Sequence, residues 1–137
     1  MNIGNIRENA YHALVGSTPS VNNTHGIDGY YADGSSFEFK TLLGSCPSLG
    51  GKYTLEGQTC IRSAIEHYLI ADYLVVEIHE QEYLKMNRAE AIEWLLDHVS
   101  LTRMSSKRGG HPKLRINRSV RTSNATSVLL AEGYTLS

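Results

Sequence analysis

The chain contains, over residues 25–40, the stretch His25-Gly-Ile-Asp-Gly-Tyr-Tyr-Ala-Asp-Gly-Ser-Ser-Phe-Glu-Phe-Lys40. Within it, residues 33–36 read Asp-Gly-Ser-Ser, which is strong turn chemistry. We expect this turn to join two short strands, and the second strand to run from Phe37 to Leu43. The sequence therefore predicts a hairpin in the first third of the chain.

The second strand of this hairpin alternates apolar and charged residues. Phe37 and Phe39 would point to one face of the strand, and Glu38 and Lys40 to the other. Asp28 lies near the first strand, so two carboxylates and one ammonium group gather in a small volume. Neighbouring carboxylates repel unless a cation lies between them, and hard oxygen ligands suit Mg²⁺. A lysine beside the cation orients or deprotonates water, which suits phosphodiester hydrolysis.

This arrangement of residues resembles the signature of the PD-(D/E)xK nucleases. Asp28 is followed by nine residues and then by Glu38-Phe39-Lys40, with Ile27 where that signature often has proline. The spacing is most similar to that of compact type II restriction endonucleases of the PvuII kind. The resemblance is close over residues 25–43 and loose elsewhere.

The resemblance implies both a fold and a site. The fold is a restriction-endonuclease-like core with the element order αβββαβ. Asp28, Glu38 and the backbone carbonyl of Phe39 would hold one or two Mg²⁺ ions, for which Mn²⁺ can substitute. Lys40 would activate the attacking water. A helix before the hairpin often offers a further glutamate in this family, so Glu8 is a candidate for the catalytic site.

Three interpretations compete with these assignments. Asp33 could be the first carboxylate, although its place in the turn is explained by the tendency of aspartate to form an Asx-turn. Glu8 could be an ordinary surface residue of a helix. The whole stretch could also be a surface hairpin with solvated charges.

The distribution of charge supports a nucleic-acid partner more than the net charge of −1 does. No acidic residue lies between Asp97 and Glu132, whereas seven of the thirteen basic residues lie there. A basic segment over residues 103–121 is therefore expected to contact DNA. Its candidate contact residues are Arg103, Lys107, Arg108, His111, Lys113, Arg115, Asn117, Arg118 and Arg121.

Part of this basic segment has the pattern of a strand. Leu114 and Ile116 would point inward, and Lys113, Arg115 and Asn117 outward together. Such a ribbon could clamp phosphates or read bases in the major groove. Alternatively, it is an edge strand that its charges protect from aggregation.

Hydrophobic periodicity predicts the remaining elements. Residues 17–24 and 44–53 are expected to be loops, and Ile6, Ala10, Ala13 and Leu14 to form the apolar stripe of the first helix. A capping box of Asn87 and Glu90 is expected to begin the third helix. The helices are predicted over residues 3–15, 56–69, 87–101 and 122–132, and further strands over 71–79, 83–86 and 113–117.

Composition places the chain among globular α/β proteins. The hydrophobic share of 41% and charged share of 20% predict one domain over residues 1–137, with a central mixed β-sheet flanked by helices. Cys46 and Cys60 fit no metal spacing, so both are expected to be reduced, with Cys60 in the core. No apolar targeting or membrane-spanning segment is visible, which favours the cytoplasm of a bacterial, archaeal or phage-infected cell.

These observations predict a Mg²⁺-dependent endonuclease acting on double-stranded DNA, of the sequence-specific restriction type. Cutting both strands with so small a domain requires two sites, so a homodimer is expected. A phage- or intron-borne homing endonuclease and a junction resolvase are alternatives within the same class. A non-catalytic DNA-binding protein is the alternative outside it.

Overall fold

The protein forms two compact units, each built from two separate stretches of chain. The first comprises Met1–Cys46 and Leu69–Ala91, and the second Pro47–Tyr68 and Ile92–Ser137. The prediction of a single nuclease domain over residues 1–137 stays a prediction. The computed structural model describes residues 3–21, 26–44, 47, 49, 59–103, 112–117 and 128–136.

A five-stranded mixed sheet is the centre of the first unit. β3 and β4 are parallel, and the other neighbouring pairs are antiparallel. The predicted α/β class with a mixed sheet is therefore confirmed. In spatial order the strands are β1 (Thr18–Pro19), β2 (Gly29–Tyr30), β3 (Ser36–Thr41), β4 (Tyr73–His79) and β5 (Glu82–Asn87).

The first helix, α1 (Ile3–Val15), has the predicted bounds, but its buried face is a different one. Ile6 and Leu14 of the expected apolar stripe are 45% and 61% exposed. Tyr11 and His12 are buried instead. Tyr11 packs against aromatic rings of β3 and β5, and the ring of His12 packs against β3. Hydropathy ranks isoleucine and leucine above these side chains, although here the aromatic ones provide the contact with the sheet.

A short strand lies where the sequence predicted a loop. β1 pairs with β2 through Thr18 with Tyr30 and Pro19 with Gly29. Proline lacks an N–H group and is confined to sheet edges, which is where β1 lies. With β1 before the hairpin, the order α1, β1, β2, β3, α2, β4 reproduces αβββαβ. The third strand of this order thus precedes the hairpin.

The central strand β4 contains a fully buried charge that the sequence analysis did not mark. Glu77 is 0% exposed and accepts hydrogen bonds from Arg7 of α1, with Nη2 to Oε2 at 2.6 Å. Thr41 Oγ1 and the backbone N–H of Gln81 also donate to it, at 2.9 and 3.1 Å. Burial alone would raise the pKa of Glu77, but these donors hold it below its ordinary value. The ion pair attaches α1 to the sheet.

The second unit contains α2 (Ile61–Tyr68) and a two-stranded antiparallel ribbon, β6 (Val99–Arg103) with β7 (Pro112–Ile116). The helix α3 (Arg88–His98) runs from the first unit into the second. Residues 128–131 are also helical. Buried residues of this unit include Leu114 and Ile116, which were predicted to point inward, together with Ile61, Ala64, Ile65, Tyr68, Ile92, Leu95, Leu96, Val99 and Leu129.

Three sequence predictions about this part of the chain can be compared with the structure. The capping box is confirmed, because Asn87 and Glu90 exchange hydrogen bonds at 3.2 and 2.8 Å. α3 ends at His98 rather than near Leu101, because the following residues pair with β7. Cys60 is a free thiol but not a core residue. It lies just before α2, where Ser63 N–H is 3.4 Å from its Sγ. Cys46 lies outside the described residues.

Within the described residues, no helix is both long enough and apolar enough to cross a membrane.

Candidate functional site

Asp28 lies at the point where β2 and β3 separate. Its backbone N–H donates to the carbonyl of Phe37 at 2.8 Å, which continues the pairing of the two strands by one residue. Its side chain then turns to β3, where Oδ2 accepts a hydrogen bond from the Phe39 N–H at 2.6 Å. The carboxylate of Asp28 is therefore held beside the Glu38-Phe39-Lys40 segment, as the sequence motif predicted.

Glu38 and Lys40 share one face of β3. Lys40 Nζ is 3.6 Å from Glu38 Oε1, and the side chains are 19% and 9% exposed, respectively. Two nearly buried charges of this kind do not fit a surface hairpin with solvated charges. Taking a carboxylate and an ammonium group out of water costs free energy, which their mutual attraction must offset.

Glu8 also belongs to this group, although the sequence left it open as a surface residue. Burial raises its pKa to about 7, with further contributions from the charge of Asp28 and from a hydrogen bond with Asp28. The charge of Lys40 acts in the opposite direction. α1 therefore brings a second carboxylate against that of Asp28.

His12 is a buried group of the site that the sequence analysis missed. It is 7% exposed, its Nδ1 lies 2.6 Å from Ser17 Oγ, and its Nε2 lies 3.7 Å from Glu8 Oε2. Burial lowers the pKa of His12, and the charge of Asp28 partly offsets this effect. Its spacing of four residues from Glu8 on a predicted helix was the available signal, since such positions are neighbours on a helix surface.

Gly29 allows His12 to approach the hairpin. A Cβ atom at this position would lie 2.5 Å from His12 Cε1 and 2.7 Å from Phe37 Cζ. No side chain fits there without displacing one of these rings. The Gly that follows Asp28 therefore has a packing function that the turn chemistry of the hairpin did not suggest.

Asp33, the competing choice for the first carboxylate, is used by the turn. Its Oδ1 accepts hydrogen bonds from the N–H and the hydroxyl of Ser35, at 2.8 and 2.5 Å. The hydroxyl bond, followed by the backbone bond, lowers the pKa of Asp33. The predicted Asx-turn is confirmed.

The oxygen donors of the site suit a hard divalent cation. Burial, followed by the charge of Asp28, raises the pKa of Glu8, and a cation beside the two carboxylates would relieve their mutual repulsion. Within the described ranges, no group of three or more His, Cys, Asp or Glu side chains is arranged to hold a metal ion. A cation here would therefore complete its coordination with backbone carbonyls, water or substrate phosphate, which is usual for Mg²⁺.

Only part of the predicted DNA-contacting segment can be placed. In β7, Leu114 and Ile116 are buried and Arg115 is half-exposed, so the predicted alternation is present. Asn117 follows the strand and is also half-exposed. The backbones of Arg103 and Lys113 lie at the paired ends of β6 and β7. Lys107, Arg108, His111, Arg118 and Arg121 lie outside the described residues.

No known family model matches the chain, and a search of curated proteins found no similar sequence.

Proposed function

We propose that the protein is a Mg²⁺-dependent endonuclease that hydrolyses phosphodiester bonds of double-stranded DNA in a sequence-specific manner. One observation carries the proposal. The hydrogen bond from Phe39 N–H to Asp28 Oδ2 places the first carboxylate of the motif against the strand that bears Glu38 and Lys40. Asp28 therefore lies close to Glu38 and Lys40, and the proposed hydrolysis of phosphodiester bonds needs these three side chains together.

Each residue of the site has a chemical role in this proposal. Asp28, Glu38 and the Phe39 carbonyl would hold the cation, which, when bound, stabilises charge on the phosphoryl oxygen and the leaving alkoxide. Lys40 would orient the attacking water in line with the scissile bond and assist its deprotonation. Its position 3.6 Å from Glu38 keeps its ammonium group next to the cation ligands. By resemblance, the products would carry 5′-phosphate and 3′-hydroxyl ends.

The proposed partner is double-stranded DNA, bound in part by the basic segment over residues 103–121. The ribbon of β6 and β7 offers Arg115 and Asn117 at half-exposed positions. Arginine pairs with guanine, and asparagine with adenine, in the major groove. A homodimer would supply the two sites needed to cut both strands. The proposed setting is the cytoplasm of a bacterial, archaeal or phage-infected cell.

Plasmid nicking tests the proposal. Supercoiled plasmid and mixed genomic DNA are incubated with the purified protein in Mg²⁺ and, separately, in EDTA. We expect discrete fragments in Mg²⁺ and intact DNA in EDTA. The matched control is Asp28→Asn, which keeps the size of the side chain but removes its charge. DNA that stays intact in Mg²⁺ and in Mn²⁺, or cutting by Asp28→Asn at the wild-type rate, would contradict the proposal.

A further inference from the structure

His12 Nε2 lies beside the carboxylate of Glu8. This nitrogen is buried and has no hydrogen-bond partner among the described residues. Glu8 Oε2 is the neighbouring acidic atom, at 3.7 Å, which is beyond hydrogen-bond length. A buried ring nitrogen left in this state costs free energy. Some group absent from the polypeptide would relieve that cost.

The other side of the ring indicates which kind of group fits. Nδ1 lies 2.6 Å from Ser17 Oγ, so the hydroxyl can accept the Nδ1–H hydrogen bond and leave a lone pair on Nε2. Metal-binding histidines are usually fixed in this way through their second nitrogen. A lone pair directed at a carboxylate is repelled by it unless a cation lies between the two.

The separation of the two atoms also suits a shared cation. Metal–nitrogen and metal–oxygen bonds are each about 2.0–2.2 Å long, so two ligands of one ion lie roughly 3–4 Å apart. The 3.7 Å between His12 Nε2 and Glu8 Oε2 falls in this range. Both side chains project from α1 one turn apart, and its end at Gly16 is closed by a 2.9 Å hydrogen bond to the His12 carbonyl. The pair is therefore held on a rigid element.

We propose that Glu8 and His12 form a divalent-cation site with one nitrogen ligand, next to the site of Asp28, Glu38 and Phe39. Imidazole favours Mn²⁺, Co²⁺ and Zn²⁺ over Mg²⁺, which prefers oxygen ligands only. The protein would thus take a transition-metal ion at this position. The inference deepens the proposed function and rests on it for any role in cleavage, whereas the binding of the ion does not depend on cleavage.

Binding of Mn²⁺ and Mg²⁺ to the full chain without DNA tests the inference. We expect Mn²⁺ to bind at least about 10-fold more tightly than Mg²⁺. Pulsed electron paramagnetic resonance of the Mn²⁺-bound protein should show coupling to an imidazole nitrogen. In His12→Gln, the coupling should disappear and the Mn²⁺ affinity fall roughly 10- to 100-fold, with Mg²⁺ affinity changing less than about 3-fold. The matched control is His67→Gln, which removes an exposed histidine at the end of α2 and should change neither quantity.

A milder variant covers the case in which His12→Gln does not fold. Ser17→Ala removes only the partner of Nδ1 and should weaken Mn²⁺ binding several-fold. Equal affinities for Mn²⁺ and Mg²⁺, or bound Mn²⁺ without nitrogen coupling in the wild-type protein, would overturn the inference. If either result is found and the protein still cleaves DNA in Mg²⁺, only the inference is rejected and the proposed function is retained. Nitrogen coupling in a protein that never cuts DNA would reject the proposed function and keep the cation site.

Discussion

At the scale of single residues, two aspartates of the same hairpin differ in what their side chains contact. Asp28 and Asp33 are both aspartates of one hairpin. The first accepts a hydrogen bond from Phe39 N–H in β3, and the second accepts bonds from Ser35 in the turn. Only the first lies against the strand that carries Glu38 and Lys40.

We expect Lys40→Ala to lower the rate of DNA cleavage at least about 100-fold, because in the proposed function its ammonium group would act on the attacking water. The affinity for DNA should stay within a few fold of the wild-type value, since one charge beside the proposed cation ligands contributes little to DNA binding. Lys85→Ala is the matched control, because this exposed lysine lies over the Tyr31 and Tyr73 rings instead. Cleavage by Lys40→Ala at the wild-type rate would show that the motif is wrongly assigned.

Asp28→Ala and Glu38→Ala should each remove cleavage, because both carboxylates are proposed cation ligands. Asp33→Ala should mainly loosen the turn, with a small loss from the free energy of unfolding. Cleavage rates and urea denaturation of the three variants check this. An inactive Asp33→Ala together with an active Asp28→Ala would reverse the choice between the two aspartates.

The raised pKa of Glu8 makes stability depend on pH in the metal-free protein. Its pKa is about 7 in the folded protein, above the ordinary 4.5, so the folded state holds more protons between these values. Stability is therefore lost as pH rises through this range. Glu8→Gln removes the effect. In EDTA, we expect this variant to exceed the wild type by about 1–3 kcal/mol above pH 7 and to lose that advantage near pH 4. A difference that does not change between pH 4 and pH 8 would contradict the assigned pKa.

At the scale of elements, α1 is held by a buried ion pair as well as by Tyr11, which packs against rings of β3 and β5. Arg7 binds Glu77 through both Nε and Nη2, and Glu8 follows it directly in the sequence. Within α1, Arg7 therefore attaches the helix to the sheet, and Glu8, the next residue, belongs to the candidate site.

Arg7→Leu should cost about 3–5 kcal/mol of stability, because it leaves the carboxylate of Glu77 buried without its charged partner. Arg62→Leu is the matched control, since Arg62 pairs at 2.7 Å with Glu93, whose side chain is 61% exposed. An exposed pair of that kind contributes little to stability. Urea denaturation measures both variants, and equal losses would show that burial of Glu77 is not the source of the stability.

The sequence predicted elements better than it predicted the faces they bury. Periodicity located α1, β4, β5 and the ribbon strand β7, because each repeats its pattern over several residues. It could not reveal that α1 buries Tyr11 and His12, because that choice depends on β3 and β5, far along the chain. The two-residue strand β1 is too short to produce a pattern at all.

Within the site, the residues that could be predicted to meet were those that lie close together in the sequence. Asp28, Glu38 and Lys40 belong to one hairpin, so turn chemistry and strand alternation were enough to bring them together. His12 and Glu8 reach the hairpin only through tertiary packing. Their contribution could not be derived from any pattern within residues 25–40.

At the scale of the whole molecule, the basic segment decides how the protein would hold DNA. Lys107 flanks the predicted strand, and Arg115 lies on it. Arg115→Ala should cost roughly 1–3 kcal/mol on the preferred DNA site and little elsewhere if it reads a base. Lys107→Ala should weaken binding to every sequence alike and lower the slope of log affinity against log salt by about one unit.

Affinities for preferred and random duplexes across a salt series separate these effects, with Arg62→Ala as the control outside the basic segment. Uniform losses in both variants would make the ribbon a phosphate clamp. Unchanged binding in both at every salt concentration would remove the basic segment from the DNA-binding surface.

The ion pair between Arg7 and Glu77 also sets when the site can assemble during synthesis. The two residues are 70 positions apart, and translation adds on the order of 5–20 residues per second. For several seconds, the emerging chain therefore contains Glu8, Asp28 and Lys40 but not the anchor that holds α1 in place. A ribosome-bound chain that stops before β4 has every residue of the motif but lacks both Glu77 and the parallel partner strand of β3. The arrangement of the sheet thus delays the anchoring of α1 until Glu77 has been made.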